Sequence, residues 1–264
     1  MVAGEACDPR EVVESLLAEL EAGTVRAAEP DGDGWKVNAW VKEGILHAFR
    51  IGENAPMGSG EVFHFRDRDT FPTWNPNGID RNVRIVPGGT TVRRGAFLAD
   101  GVVVMPPAYI NVGARVGGGT MVDSHALVGS CAQVGSGVHL SAASQVGGVL
   151  EPVGALPVIV EDDVFVGGNC GIYEGARIGR GAVLASGVVV TRAVPIHDLV
   201  NETVYRADAD GVISVPPGAV VVPGTRPTKG EYASRLGIHL QAPVIVKYRD
   251  GRTDASSELE SALR

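Results

Sequence analysis

Residues 122–146 read VDSHALVGSCAQVGSGVHLSAASQV. An aliphatic residue recurs at every sixth position of this stretch: Val122, Val128, Val134, Leu140 and Val146. Neither the two-residue period of a strand nor the 3.6-residue period of a helix produces that spacing. A six-residue period is typical of a parallel β-helix, in which each hexad forms one flat side of a triangular coil.

The same period extends well beyond the quoted stretch. It starts at Val92, slips by two positions across residues 147–159, and resumes from Val160 to Ile196. Small or β-branched residues occupy the position four further on, and glycine, asparagine or aspartate often marks the turn, where a positive φ is needed. We therefore predict a mainly β fold, a left-handed parallel β-helix over residues 84–225.

This β-helix is expected to carry excursions at 147–159 and 197–214, with a tail over residues 226–264. The tail has an apolar run at Pro243–Tyr248, which predicts a short strand, and Ser256–Leu263 predicts a terminal helix.

Residues 1–83 lack the period and are expected to form a small α-rich N-terminal domain. Asp8 and Pro9 resemble an N-cap and the first position of a helix that Gly23 would close. A second helix is predicted over residues 35–51, and residues 53–83, rich in proline, asparagine and glycine, are predicted to be a linker.

Composition excludes several classes of function. The chain has 264 residues, 36 of them glycine, and carries 23 basic against 31 acidic residues for a net charge of −8. This acidic balance argues against nucleic acid or an anionic membrane as a partner. Residues 124–150 lack charge but are broken by glycine, serine and glutamine, so they do not predict a membrane span. The three cysteines make no paired motif and the N-terminus does not resemble a signal peptide, so we expect a soluble, cytoplasmic protein.

Three uses of such a β-helix remain open at this point: a CoA-dependent acyltransferase, a zinc enzyme, or a scaffold or binding module. The β-helix offers only His125, His139 and His197, without the spacing that would bring three imidazoles together, so no metal is expected.

Several longer motifs resemble the tetrahydrodipicolinate N-succinyltransferase family. They are VRIVP at 83–87, VRRGAF at 92–97, YINVGA at 109–114, GTMVD at 119–123, VGSCAQVG at 128–135, VHLS at 138–141 and GGVLEP at 147–152. The resemblance implies a homotrimer with an acyl-CoA co-substrate, succinyl-CoA or acetyl-CoA, lying in a groove between adjacent β-helices, and no permanently bound cofactor. It further implies succinyl transfer to the amine of ring-opened tetrahydrodipicolinate in lysine and diaminopimelate biosynthesis.

The acceptor ammonium must lose a proton before it attacks a thioester, which requires a nearby base. Asp123, the aspartate of GTMVD, is the expected catalytic residue, and it occupies a turn position where a side chain points outward. An aspartate at such a turn can also serve only to shape the corner. Arg84 matches the arginine with which the family grips the substrate; a solvated surface charge is the alternative.

Four departures from the family lie near the acceptor. Gly171 stands where the family has a second carboxylate, His125 stands where a tryptophan is usual, and residues 142–144 are Ala-Ala-Ser where glycines are common. The segment MPPAYIN at 105–111 has an extra residue and lacks the family's serine. Arg84, Asp123, His125 and Glu174 are the predicted substrate-binding residues.

These departures keep two further hypotheses open. One is a paralogue that acylates a related amino acid, with acetyl-CoA or succinyl-CoA, in natural-product (tabtoxin-like) biosynthesis, with Cys170 and His125 lining the altered pocket. The other is a non-catalytic trimeric binding protein.

For CoA, the pantetheine arm needs small residues along an exposed edge of the coil, and five candidates are Gly148, Gly167, Gly168, Ala185 and Ser186. The CoA phosphates need cations. Lys229 is the tail residue predicted to bind them, within a basic set that also includes Arg226, Arg235 and Lys247.

Overall fold

The computed structural model describes residues 8–76 and 80–249, over which it contains three helices and 26 strands. The terminal helix predicted over Ser256–Leu263 lies outside the described residues.

The first helix has the ends that the sequence predicts. Helix α1 (Pro9–Ala22) follows the N-cap Asp8, whose carboxylate accepts a hydrogen bond from the Arg10 amide at 2.9 Å. It ends at Gly23, which adopts a left-handed conformation with φ 80°. The prediction of this helix is confirmed.

The second helix is shorter than predicted. Helix α2 runs over Ala39–Ile51, because the residues before it form strand β2 (Gly34–Val37), which pairs antiparallel with β1 (Ala28–Asp31). The predicted start at residue 35 is therefore wrong. Residues 34–37 carry no strong helix signal, and they form a strand because their backbone pairs with β1.

Residues 54–68, predicted to belong to a linker, form a β-hairpin. Strand β3 (Asn54–Ser59) pairs with β4 (Phe63–Arg68) around Gly60, which has φ 64°. Phe63 and Phe65 alternate with polar residues along β4, which is the two-residue period of a strand. The N-terminal region thus has two hairpins as well as its helices.

The β-helix is confirmed, and its strands build three faces. Face 1 contains β5 (Arg84–Ile85), β8 (Val103–Val104), β11 (Met121–Val122), β14 (His139–Leu140), β17 (Phe165–Val166) and β20 (Val183–Leu184). Face 2 contains β6 (Thr91–Val92), β9 (Tyr109–Ile110), β12 (Leu127–Val128), β15 (Gln145–Val146), β18 (Gly171–Ile172) and β21 (Val189–Val190). Face 3 contains β7 (Phe97–Leu98), β10 (Arg115–Val116), β13 (Gln133–Val134), β16 (Ile159–Val160), β19 (Ala176–Ile178) and β24 (Ile213–Val215).

Each coil takes eighteen residues, three hexads, as shown by the parallel pairing of Arg115 with Gln133. The second residue of each short strand points inward, so the aliphatic hexad positions, such as Leu140 and Val146, are fully buried. The turns between faces form three edges, named here by the faces they join: the 1–2 corner, the 2–3 corner and the 3–1 corner.

Two insertions interrupt the coil without changing its pairing. Gln133 pairs with Ile159, so the chain leaves the β-helix after β15 and returns at β16. This excursion packs on the N-terminal region, where the buried Lys42 donates a hydrogen bond to the Ala155 carbonyl at 2.6 Å. Burial lowers the pKa of Lys42.

The second excursion forms an outer hairpin of β22 (Ile196–Asp198) and β23 (Thr203–Tyr205). The buried Asp198 fixes it to the tail, because its carboxylate accepts hydrogen bonds from the Tyr248 hydroxyl at 2.7 Å and the Asn201 amide at 2.9 Å. Burial alone would raise the pKa of Asp198, but these hydrogen bonds outweigh it and hold the pKa at about 2.

The tail forms a long antiparallel hairpin. Strand β25 (Ala219–Pro227) continues face 1 and pairs with β26 (His239–Tyr248), with helix α3 (Glu231–Leu236) between them. The predicted strand at Pro243–Tyr248 is confirmed, but it begins four residues earlier.

The N-terminal region packs on the 2–3 corner and on face 3. Val112 and Cys131 from the β-helix share one buried core with Leu17 of α1 and Ile45 of α2. The β3–β4 hairpin also lies beside the first strands of face 2, because Phe65 and Thr91 line the same cavity. Over the described part of the chain, no helix is long and apolar enough to cross a bilayer.

The corner geometry makes a prediction about glycine. A Cβ on Gly129 would meet the backbone of Gly147 and Gly148 in the next coil, whereas one on Gly154 would meet nothing within 4 Å. Gly129→Ala should lower the free energy of unfolding by about 1–3 kcal/mol because backbone must move to accommodate the methyl group. Gly154→Ala is the control and should change it little. Denaturant unfolding of both variants tests this; equal effects would contradict the close packing of successive coils at the 2–3 corner.

Candidate functional site

The 1–2 corner is a continuous edge of small turn residues. The Ala143 amide donates to the Ser124 carbonyl at 2.9 Å, and the Asn169 amide to the Ala142 carbonyl at 3.0 Å. One coil further, the Gly187 amide donates to the Gly168 carbonyl at 3.0 Å. These bonds run from turn to turn, so the edge is held rigidly along the axis of the β-helix.

Several turns at this edge are unusual because their third residue has a side chain in the left-handed region. His125, Ala143 and Asn169 have φ values of 63°, 58° and 57°. Non-glycine residues adopt this conformation uncommonly. At His125 it fixes the backbone direction, and the imidazole is exposed at the corner, two residues after Asp123.

Asp123 directly follows β11 and opens one of these turns. It is partly buried, and its carboxylate accepts a hydrogen bond from the Ser124 amide at 2.7 Å. That bond uses one carboxylate oxygen to fix the side chain at the corner. Among the described residues no cation forms an ion pair with Asp123, so the other oxygen can accept a proton from a bound amine.

Arg84 lies on the same face as the strand that leads to Asp123. It pairs with Val103, which in turn pairs with Met121, so Arg84 stands two coils above β11. Coils are about 4.8 Å apart, which puts its backbone about 10 Å along the axis, within reach of a long side chain and a dicarboxylate between them. Arg84 is exposed.

Four of the predicted CoA residues extend the same edge in the opposite direction. Gly167 and Gly168 follow β17, and Ala185 and Ser186 follow β20, two and three turns beyond Asp123. The structure therefore brings Asp123, His125 and these four residues onto one corner.

Glu174 and Gly148 lie elsewhere, on the 2–3 corner. Glu174 follows β18 and forms an exposed ion pair with Arg192 at 3.3 Å. Gly148 lies against the backbone of Ser130 at that corner. Within one chain neither residue stands on the edge that carries Asp123.

The four basic tail residues do not converge on one point. Arg226 and the exposed Lys229 lie at the far end of β25, and Arg235 is on α3, where its guanidinium lies 5.5 Å from the centre of the Tyr232 ring. Lys247 lies opposite Val220 at the base of the hairpin, six residues from Arg226 along β25, or about 20 Å.

At Gly171 a tyrosine ring occupies the space that a side chain would take. A Cβ there would lie 2.6 Å from Cε2 of Tyr173 and 2.9 Å from its hydroxyl oxygen. The Tyr173 hydroxyl donates to the Gln145 side chain at 3.2 Å, which holds the ring across β18. A side chain at position 171 would therefore have to displace the Tyr173 ring.

The two cysteines in the described part of the chain, Cys131 and Cys170, are structural. Cys170 is 1% exposed, its thiol donates to the Ala185 carbonyl at 3.1 Å, and burial raises its pKa. The expectation that it lines a pocket is wrong because its side chain fills the interior of the coil. Cys131 is also buried, with its pKa raised to about 12. Within the described residues no group of three metal-ligating side chains is present.

Sequence reasoning did not anticipate the cavity between the β3–β4 hairpin and the first coils. It has a volume of about 510 Å³, and Phe65, Trp74, Arg93 and Tyr109 are among its lining residues. None of the predicted site residues is among its described lining residues.

The triangular coil and the small-residue corner define a hexapeptide-repeat transferase. Residues 157–192 match the hexapeptide repeat of succinyltransferases, and residues 3–51 match the N-terminal domain of tetrahydrodipicolinate N-succinyltransferases. The 2,3,4,5-tetrahydropyridine-2,6-dicarboxylate N-succinyltransferase of Polynucleobacter asymbioticus is 42% identical, over 97% of this chain and 90% of its own length. That of Acinetobacter baylyi is 40% identical with the same coverage. The chain belongs to the tetrahydrodipicolinate N-succinyltransferase family, a family of acyltransferases.

A solved structure agrees in fold. A Campylobacter jejuni protein, assigned provisionally as a 2,3,4,5-tetrahydropyridine-2-carboxylate N-succinyltransferase, aligns with a TM-score of 0.52 at 20% identity. The alignment covers 89% of this chain and 62% of that one. At this identity the likeness supports the fold alone.

The contact between Gly171 and Tyr173 predicts strong coupling between the two positions. Gly171→Glu alone should lower the melting temperature because the new side chain displaces the tyrosine ring. Gly171→Glu combined with Tyr173→Val should recover much of that loss, giving an interaction free energy of about 0.5–3 kcal/mol in a double-mutant cycle. Thermal unfolding of the two single variants and the double variant measures it, and additive effects would contradict the packing described.

Proposed function

We propose that this protein transfers the succinyl group of succinyl-CoA to the amine of ring-opened tetrahydrodipicolinate, the activity for which its relatives are named. The observation that carries the proposal is Asp123, a carboxylate free of ion pairs among the described residues, at the end of an edge of small residues. This edge leaves room for an extended pantetheine arm to approach the backbone.

The proposed chemistry uses Asp123 as a general base. Its free carboxylate oxygen takes a proton from the acceptor ammonium, and the amine nitrogen then attacks the thioester carbonyl. The tetrahedral intermediate collapses with cleavage of the C–S bond, and the nitrogen passes its second proton to the departing sulfur, which leaves a neutral amide and CoA thiol. The proton held by Asp123 passes to solvent after the products leave. Arg84 holds a carboxylate of the acceptor, since a guanidinium pairs with a carboxylate in two parallel hydrogen bonds.

The complete site is proposed to form between two copies in a homotrimer. Asp123 lies on the 1–2 corner, while Glu174, Gly148 and Tyr173 lie on or beside the 2–3 corner of the same chain. One chain cannot bring its own two edges together. A neighbouring copy can place its second edge against the first. We further propose that the enzyme acts in the cytoplasm, where acyl-CoA is made.

One observation favours a second candidate function, acylation of a different amine or from acetyl-CoA. The Tyr173 ring lies over Gly171, where the family has a carboxylate, and so changes the wall that would face the acceptor. A thiol-release assay that crosses succinyl-CoA and acetyl-CoA with tetrahydrodipicolinate, L-2-aminopimelate and lysine distinguishes the two. Preference for succinyl-CoA with the dicarboxylates supports the first function, and preference for acetyl-CoA or lysine supports the second.

Asp123→Asn should lower kcat/KM by roughly 10²–10⁴ because the amide cannot accept the ammonium proton. The substitution preserves the acceptor of the Ser124 hydrogen bond, so the corner should keep its shape. The thiol-release assay with succinyl-CoA measures the loss. Asp163→Asn, the same change at the exposed 3–1 corner, is the control and should retain activity. If Asp123→Asn is as active as this control, Asp123 only shapes the turn.

Ser186→Phe should raise the KM for the acyl-CoA by about tenfold or more, because the ring would lie on the edge proposed for the pantetheine arm. Ser136→Phe is the matched control: Ser136 precedes a left-handed glycine at the 3–1 corner, as Ser186 does at the 1–2 corner. Both serines are exposed, so both variants should fold. Equal KM values for the two variants would contradict the proposal that CoA binds along the 1–2 corner.

A further inference from the structure

Three arginines from separate segments meet beside the C-terminus of α1. Arg115 points outward from β10 on face 3, Arg81 precedes β5, and Arg26 follows α1. The guanidinium carbon of Arg115 lies 4.0 Å from the centre of the Phe97 ring, and that of Arg81 lies 4.6 Å from the same centre. All three arginines are partly buried.

These positive charges affect one another. The pKa of Arg115 falls to about 10, first because burial removes the guanidinium from water and then because Arg26 and Arg81 repel a further positive charge. Such a reduction is unusual for an arginine, whose pKa normally stays above 12.

No carboxylate neutralises the group within the described part of the chain. Arg93, Arg94 and Arg177 are also partly buried, and each has a carboxylate partner: Arg93 pairs with Asp67, Arg94 with Glu21 at 2.6 Å, and Arg177 with Glu161 at 2.6 Å. For Arg26, Arg81 and Arg115 no ion pair is formed among the described residues.

Two of the buried N–H groups also lack an acceptor. Arg115 Nη1 and Arg81 Nε are inaccessible and make no hydrogen bond in the described structure. The cluster has one hydrogen bond to a backbone acceptor, from Arg81 Nη2 to the Glu21 carbonyl at 2.7 Å. The C-terminus of α1 supplies about half a negative charge, and the Phe97 ring attracts cations without accepting these N–H groups, so three positive charges remain largely uncompensated.

We propose that Arg26, Arg81 and Arg115 bind a small dianionic oxyanion of the phosphate type. Guanidinium groups match such an anion because its several oxygens can accept paired N–H groups from more than one arginine. The anion would join the loop after α1, the segment before β5 and face 3, and so fix the N-terminal region to the β-helix. Face 3 lies across the coil from the 1–2 corner, so the inference is independent of the proposed acyl transfer.

Thermal unfolding with inorganic phosphate tests the proposal, with sodium chloride of equal ionic strength as the reference. Wild-type protein should show a saturable increase in melting temperature of about 2–5 °C that chloride does not reproduce. Arg26→Gln and Arg115→Gln should each remove this increase. Arg177→Gln is the matched control, an arginine on the same face that already has a carboxylate partner, and it should retain the full response.

The melting temperature without phosphate is a second readout, and it distinguishes an anion site from an arginine cluster that only stabilises the fold. Without phosphate, Arg26→Gln should leave the melting temperature unchanged or raise it because it removes repulsion, while Arg177→Gln should lower it. A lower melting temperature for Arg26→Gln and no response of the wild type to phosphate would overturn the proposal.

The anion bound by the arginines could also be a phosphate group of CoA, and 3′,5′-ADP, which carries such phosphates, is the probe for this alternative. A response to 3′,5′-ADP but not to phosphate, lost in Ser186→Phe and kept in Arg115→Gln, would assign the anion to CoA and overturn a separate site.

Discussion

Each coil of the β-helix must bring the chain back to the same face after eighteen residues, because the amides of one coil donate to the carbonyls of the next. The requirement is strict: a shift of one residue would turn the aliphatic hexad positions outward and expose the core. Both excursions obey it. Gln133 pairs with Ile159 and Arg177 with Ser214, so each inserted segment leaves and re-enters in register. A corner tolerates an insertion because only the turn between two strands becomes longer. The two excursions are such insertions, and they form structure outside the β-helix.

The same count fixes which residues can act together. Positions eighteen apart share a corner, whereas positions six apart belong to successive faces. By this rule one corner contains Asp123, Ala185 and Ser186, after the extra residues of the first excursion are subtracted. Another corner contains Ser130 and Gly148, which are eighteen residues apart. The eighteen-residue period therefore assigns each turn residue to a corner. By the same count Glu174 falls on the 2–3 corner, so it can meet Asp123 only across two copies of the chain.

Prediction from sequence succeeded where the structure repeats and was weaker where it does not. The period predicted the β-helix and its core, and local capping signals predicted α1. The hairpin of β3 and β4 and the late start of α2 depend on pairing between segments, for which the N-terminal sequence has no comparable repeat. The arginine cluster is harder still, because it exists only where the loop after α1, the segment before β5 and face 3 come together.

Two positions in this molecule differ in how the surrounding protein accommodates them. At Gly171 there is no side chain, and the Tyr173 ring, held by Gln145, fills the space that one would take. At Arg115 no described protein group compensates the charge, and the cost of burying it remains. Three arginines kept together against mutual repulsion are more readily explained by a bound anion than by packing, since packing alone would be better served by any neutral side chain of similar size.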